Sequence, residues 1–341
     1  MQNRTIYFDT LKGAAILFVV YNHLVWICMQ ERSSISSALF ESVCMNVFFL
    51  ISGRLAIKLK SIRTKEQAFP TLLKKTYSLL IPAVLWFAFS IYYWHLDLFE
   101  SCFEVFKNGF WFTYILFAIF IFEIFIYLIL NQLRLSPQKR SIVNLGLSTS
   151  LYIAGIVFYK EINCPQGNLL SISLFMKYFI FFVIGIEYDF IHSRVRKIRS
   201  NHLLMFLMVI TFFVYPPSLP TGLQFILNLC RVFLIVILFK ESEILSTDNK
   251  FSRILSWWGR NSLPIYFIHF FLLFNMTKIS DIIHIFADSV CIKGNAGCRL
   301  VVEIVTVLPI AVIIATLSCC LYLIASKSKY LNLLFFGKIS V

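Results

Sequence analysis

Two ionisable residues interrupt an otherwise apolar stretch near the start of the chain. The run Leu11–Met29 reads L-K-G-A-A-I-L-F-V-V-Y-N-H-L-V-W-I-C-M and holds Lys12 and His23. It is long enough to cross a bilayer. An offset of eleven residues corresponds to about 16 Å of helical rise. Lys12 therefore lies at one membrane face and His23 well inside, towards the other. Burying an imidazole in hydrocarbon is costly, so His23 is either a functional group or a hydrogen-bond partner of a neighbouring helix. With Lys12 below it, the pair is spaced like the two ends of a long, thin, charged substrate. An imidazole suits proton transfer or nucleophilic catalysis. Asp9, three residues before Lys12, is placed to position it.

Other groups with chemical potential are scattered along the chain. F-F-L-I-S-G-R, Phe48 to Arg54, brings Ser52 and Arg54 to the end of a second apolar run. Its Ser-Gly pair also fits simple close helix packing. Lys74 and Lys75 precede another run, where they either hold phosphates or snorkel to the interface. G-F-W-F-T-Y sets Trp111 and Tyr114 at a span edge, the usual place of interfacial anchors. W-G-R-N-S-L-P-I-Y-F-I-H ends on a second intramembrane histidine, His269, with Asn261 and Ser262 able to cap the helix start. Arg231 and Glu123 are charges inside apolar runs. They could pair with each other or serve a ligand.

The elements that must position these groups are membrane spans. Of 341 residues, 59% are hydrophobic and 14% charged, against roughly a quarter charged in soluble domains. Mean hydropathy is +0.80. The expected fold is all-α, a polytopic membrane bundle with a single domain over 1–341. About ten spans are read: Leu11–Met29, Ala38–Ile57, Tyr77–His95, Phe110–Leu130, Ile142–Tyr159, Leu169–Phe190, His202–Tyr215, Leu223–Phe239, Leu263–Ile285 and Leu300–Ala325. The 37 Phe suit lipid-facing surfaces. No cleavable signal peptide is expected.

Lys and Arg alternate between connections. They crowd Lys58–Lys75, Arg134–Arg140, Arg194–Arg199, Lys240–Arg260 and the tail, and the intervening connections are poor in them. The positive-inside rule then places both termini in the cytoplasm and His23 towards the outer leaflet. A net charge of +14 thus speaks of orientation and does not call for nucleic acid. The nine Cys lack C-x-x-C spacing, and no metal site is expected. Cys230, Cys319 and Cys320 read as packing residues, and Cys291 and Cys298 share a loop in which they could pair.

Taken in order, these motifs resemble the acyltransferase-3 family of integral membrane acyltransferases. F-D-T-L-K-G-A-A-I-L-F-V-V-Y-N-H matches its basic residue, ten intervening residues and His, with Lys12 where Arg is common. F-F-L-I-S-G, the stretch Lys74 to Pro82, G-F-W-F and N-S-L-P-I-Y-F-I-H are similar to its later motifs. Asn46 stands where the family often has Pro, and Ser78 where a second basic residue is common. No hydrolase-like soluble domain follows, so the stand-alone form is expected.

The resemblance implies transfer of an acetyl group from cytoplasmic acetyl-CoA to a hydroxyl of a surface sugar, in a bacterial inner membrane. Lys12, Lys74 and Lys75 would meet the donor phosphates, Ser52 and Arg54 would line its path, and His23 would act as base or acetyl carrier. A polytopic transporter or flippase would also bury Lys, His, Arg and Glu. It would more often show paired halves of related hydropathy, and none is seen.

Overall fold

A computed structural model describes residues 6–30, 34–199, 202–214, 221–273 and 296–338, with isolated positions between 278 and 289. In chain order the main helices are α1 (Ile6–His23), α2 (Ile35–Leu55), α3 (Lys65–Lys75) and α4 (Ile81–Trp94). They continue as α5 (Trp111–Gln132), α6 (Pro137–Val157), α7 (Ile172–Ile186), α8 (Tyr188–Arg199) and α9 (His202–Ile210). The rest are α10 (Thr221–Glu241), α11 (Lys250–Arg260), α12 (Ser262–Leu272), α13 (Ala296–Ala325) and α14 (Lys329–Phe336). No strand occurs among the described residues. Among the described residues, seven helical segments are long and apolar enough to cross a membrane, and α7 and α12 are shorter apolar helices. The protein is an all-α, polytopic, multi-pass membrane protein. Cys291 lies outside the described residues and nothing is described of the Cys298 side chain, so their pairing falls outside the described structure.

Contacts divide the chain into two compact units. The first comprises Met1–Phe48 and Ile198–Ile324. Its organising contact is the crossing of α1 and α11. A Cβ on Gly13 would stand 1.9 Å from the Leu255 carbonyl oxygen, and one on Gly259 would stand 1.9 Å from the Asp9 carbonyl oxygen. Only hydrogen at both positions lets the backbones touch. Thr10 Oγ1 adds a hydrogen bond to Leu245 O at 2.9 Å. The chain then turns from α11 into α12 at Asn261. Asn261 does not cap α12 through its side chain, as the sequence led one to expect. Its amide donates instead to Trp257 O at 3.0 Å, and its backbone N–H reaches Trp257 O and Trp258 O. The turn is thus tied to α11, and α12 with His269 leaves from a fixed point.

The same unit explains Arg231. The short apolar α9 adds one 3₁₀ turn, Thr211–Phe213, and stops. Its last carbonyls need donors, because backbone groups cannot be left unpaired in hydrocarbon. Arg231, 0% exposed, supplies them. Nε donates to Thr211 O at 3.0 Å, and Nη2 to Thr211 O and to Val214 O at 2.5 Å. Nη1 donates to Ser42 Oγ at 3.1 Å. The suggested pairing with Glu123 is replaced by this cap, and Glu123 accepts from Asn144 instead. One turn along α2 from Ser42, Asn46 donates to Ser42 O at 2.7 Å, and the helix runs through where a proline would interrupt it.

The second unit comprises Phe49–Lys197 and Ala325–Val341. Here α2 meets α7 at a second close crossing: a Cβ on Gly53 would stand 1.9 Å from Phe182 O, and one on Gly185 1.9 Å from Leu50 O. The Ser-Gly pair therefore does act in close packing. The sixth span is not one helix. It starts after Ser171, which holds a left-handed φ of 50°, and breaks at Glu187 before α8. Several phenylalanines expected on lipid-facing surfaces are core residues. Phe49, Phe110, Phe179, Phe181 and Phe182 are all buried below 2% exposure. In the loop before α5, the buried Lys107 ammonium donates to the carbonyls of Cys102, Glu104 and Asn168 at 2.9, 2.6 and 2.7 Å. Burial lowers its pKa from the ordinary lysine value.

Candidate active site

His23 is the last residue of α1, and the helix winds into a π turn, Leu24–Cys28, directly after it. Met29 N–H closes that turn on Leu24 O at 3.0 Å. Such a bulge shifts the rows of side chains on either side of it, and π bulges recur at functional sites. His23 Nδ1 lies 2.7 Å from His269 Nε2. The rings are nearly parallel, with centroids 5.0 Å apart and planes 9° from each other. His269 Nδ1 lies 2.8 Å from the Ile265 carbonyl oxygen, one turn back along α12. Phe270 packs against both imidazoles, at 4.5 and 4.3 Å. His269 is 0% exposed, whereas His23 keeps partial exposure. Of the two, His23 is the less buried residue.

Residues two apart in a helix point about 200° away from each other, so Tyr21 faces away from this pair. A different polar cluster meets it. Glu303 Oε1 accepts from Tyr21 at 3.2 Å, from Ser36 at 2.5 Å and from Ser34. Tyr21 and Ser36 hydroxyls are 2.7 Å apart. These bonds tie α13 to the ends of α1 and α2. Sequence reading passed over Glu303, although an acidic residue inside the apolar run L-V-V-E-I-V carried the same signal that singled out Glu123.

Of the residues expected to contact a donor, Lys12 is half-buried on α1 and Asp9 is buried one turn earlier. In the other unit, α3 ends in Lys74, exposed, and Lys75, whose ammonium stands 3.8 Å from the Phe120 ring centroid. A π turn, Thr76–Leu80, follows them. Pro82, which has no N–H to offer the preceding turn, accounts for it. Ser52 is half-buried. Arg54 is engaged, donating to Asp189 at 2.6 Å with its guanidinium over Tyr188. Trp111 is not an exposed anchor: it is 9% exposed and stacks on Tyr178 at 5.2 Å. Ser262 begins α12. The structure therefore joins His23 to His269 and leaves Arg231 and Glu123 with separate partners.

Glu123 anchors a buried polar chain that sequence reading saw only in part. Its Oε1 accepts from Asn144 Nδ2 at 2.6 Å. Asn144 also approaches Tyr127 OH at 3.3 Å, Tyr127 donates to Glu187 at 2.7 Å, and Lys60 pairs with Glu187 at 2.6 Å. Glu123 Oε2 and Asn144 Oδ1 are buried acceptors without a donor among the described residues. A glutamine at 123 keeps an acceptor for Asn144 and turns the second oxygen into a donor. Glu123→Gln is therefore expected to melt at or above the wild-type temperature in detergent, whereas Glu123→Leu, which strands Asn144, should lose about 1–3 kcal/mol. A Gln variant as unstable as the Leu variant would contradict this reading.

A family description, Acyl_transf_3 (Acyltransferase domain), matches residues 5–325. That stretch includes both histidines and both crossings. The chain belongs to the acyltransferase-3 family. Comparison with curated proteins and with solved structures gives no match. Membership makes the protein a membrane acyltransferase. An imidazole held by a second imidazole and set inside a span is a group that acyl transfer can use as base or nucleophile.

Proposed function

We propose that the protein is an O-acetyltransferase that moves acetyl from cytoplasmic acetyl-CoA to a hydroxyl of an extracytoplasmic or lipid-linked sugar of a surface polysaccharide. The observation that carries this is half-buried His23 at the end of α1, its imidazole bonded to His269 at 2.7 Å. Lys12 stands about 16 Å before it on the same helix. In this reading one membrane domain spans 1–341 with both termini cytoplasmic, in a bacterial inner membrane. The Lys12 ammonium meets donor phosphates at the cytoplasmic end, and the pantetheine arm runs along α1 to bring the thioester to His23. Lys74 and Lys75 are proposed separately as further phosphate contacts, on their position in the sequence. Arg54 is a weaker candidate, because Asp189 already neutralises it.

At His23, the acceptor O–H gives its proton to the imidazole as its oxygen attacks the thioester carbonyl. Collapse of the tetrahedral intermediate expels the thiolate, which takes that proton back as free CoA. An acetyl-His23 intermediate reaches the same products in two steps. The test has two parts. Surface glycan from cells with and without the protein should differ by ester-linked acetyl, and purified Lys12→Ala should bind acetyl-CoA about tenfold or more weakly at normal abundance, as expected for one lost charge–phosphate contact. Identical glycans together with unchanged donor affinity would remove the proposal.

A further inference from the structure

We infer that His269 is a positioning residue that fixes the tautomer of His23 and so selects Nε2 of His23 as the reacting nitrogen. The inference rests on His23 being the group that reacts, and the geometry behind it stands apart from that. A carbonyl oxygen only accepts hydrogen bonds. The 2.8 Å contact with Ile265 O therefore places a proton on His269 Nδ1. A neutral imidazole carries one N–H, and an ionised one is costly in a fully buried site. His269 Nε2 is then a lone pair. The 2.7 Å contact with His23 Nδ1 requires the proton to sit on His23. His23 Nε2 is left bare.

This order of groups, carbonyl to imidazole to imidazole, does for His23 what a carboxylate does for the histidine of a Ser-His-Asp triad. It holds the ring in one orientation and keeps the basic nitrogen pointed away from its partner. The backbone secures it, because Ile265 and His269 lie one turn apart on α12. Phe270 packs against both rings and limits their rotation. When Nε2 takes the acceptor's proton, Nδ1–H stays bonded to His269, so the imidazolium forms without moving the ring. In the two-step route, Nε2 carries the acetyl group.

The test uses full-length protein in lipid nanodiscs with ¹⁵N-labelled histidine. The His23 signals are identified by their loss in His23→Gln. Wild-type protein should show His23 with a protonated Nδ1 and a bare Nε2. His269→Phe keeps a flat ring without an acceptor. It should lose about 10²–10⁴-fold in kcat, the range for a misplaced or mis-tautomerised base, with little change in KM for the donor. His269→Gln, which restores an acceptor oxygen, should recover part of that rate. A His23 ring protonated at Nε2 in the wild type would overturn the inference, as would full activity in His269→Phe. If His23→Gln retains the wild-type rate, the functional reading fails and the positioning role with it. The tautomer spectrum then reports on the hydrogen-bond relay alone.

Discussion

His23→Ala should abolish acetyl transfer while leaving the protein inserted and folded. Removing a general base costs about 10²–10⁴-fold, and removing a covalent nucleophile can cost more. The same change deletes one hydrogen bond within the membrane, worth about 1 kcal/mol. The two effects differ enough to be separated by measuring transfer rate and detergent melting side by side. The site is also arranged so that the loss falls on chemistry. His269 keeps its bond to Ile265 O when His23 is removed, so the fully buried ring is not left without any partner. A His23→Ala protein that keeps most of its activity but melts early would show His23 to be a packing residue.

The largest structural effect is expected at Gly259. A valine there would drive its Cβ to 1.9 Å from the Asp9 carbonyl oxygen, with Gly13 N at 3.0 Å behind it. Neither atom can rotate away, because both belong to the α1 backbone. Overpacking a core by a few methyl groups costs about 1–3 kcal/mol when side chains can shift. Here whole helices must separate, so the cost should exceed that range. Because α11 passes at Asn261 into α12, the displacement would also carry His269 away from His23. Gly259→Val should accumulate poorly, and any folded fraction should be inactive. Gly146→Ala on α6 is the control. Its new Cβ meets nothing within 4 Å, and the change should be neutral or stabilising by about 0.5–1 kcal/mol. Wild-type abundance and activity in Gly259→Val would contradict the crossing described here.

Much of the fold is visible in the sequence because bilayer spans impose length and polarity at once. Leu11–Met29 corresponds closely to α1 with its π turn, and the His23 and His269 motifs could be found as rare imidazoles in apolar runs. Their contact could not be found that way. It depends on a long-range event, Gly13 and Gly259 letting α1 and α11 touch, together with the local turn at Asn261 that leads into α12. Arg231 was legible as a buried charge, but its role was not. The cap it forms follows from α9 ending short, and hydropathy alone placed that span without showing what its last carbonyls would need. Glu303 and Glu187 lie inside two of the expected spans, and the groups that make them matter come from other helices: Tyr21, Ser34 and Ser36 for Glu303, Tyr127 and Lys60 for Glu187.

His23 is proposed above as the centre of acyl transfer from a CoA thioester. The direct measurement is release of free CoA from acetyl-CoA by purified protein in nanodiscs, with and without an acceptor extract, compared with His23→Gln at matched folding. The glutamine keeps a hydrogen-bonding side chain and removes the basic nitrogen. Acceptor-dependent CoA release is expected from the wild type, and release at least about 10²-fold slower from His23→Gln. Equal rates from the two proteins, or no release by a folded wild type supplied with acceptor, would contradict that role.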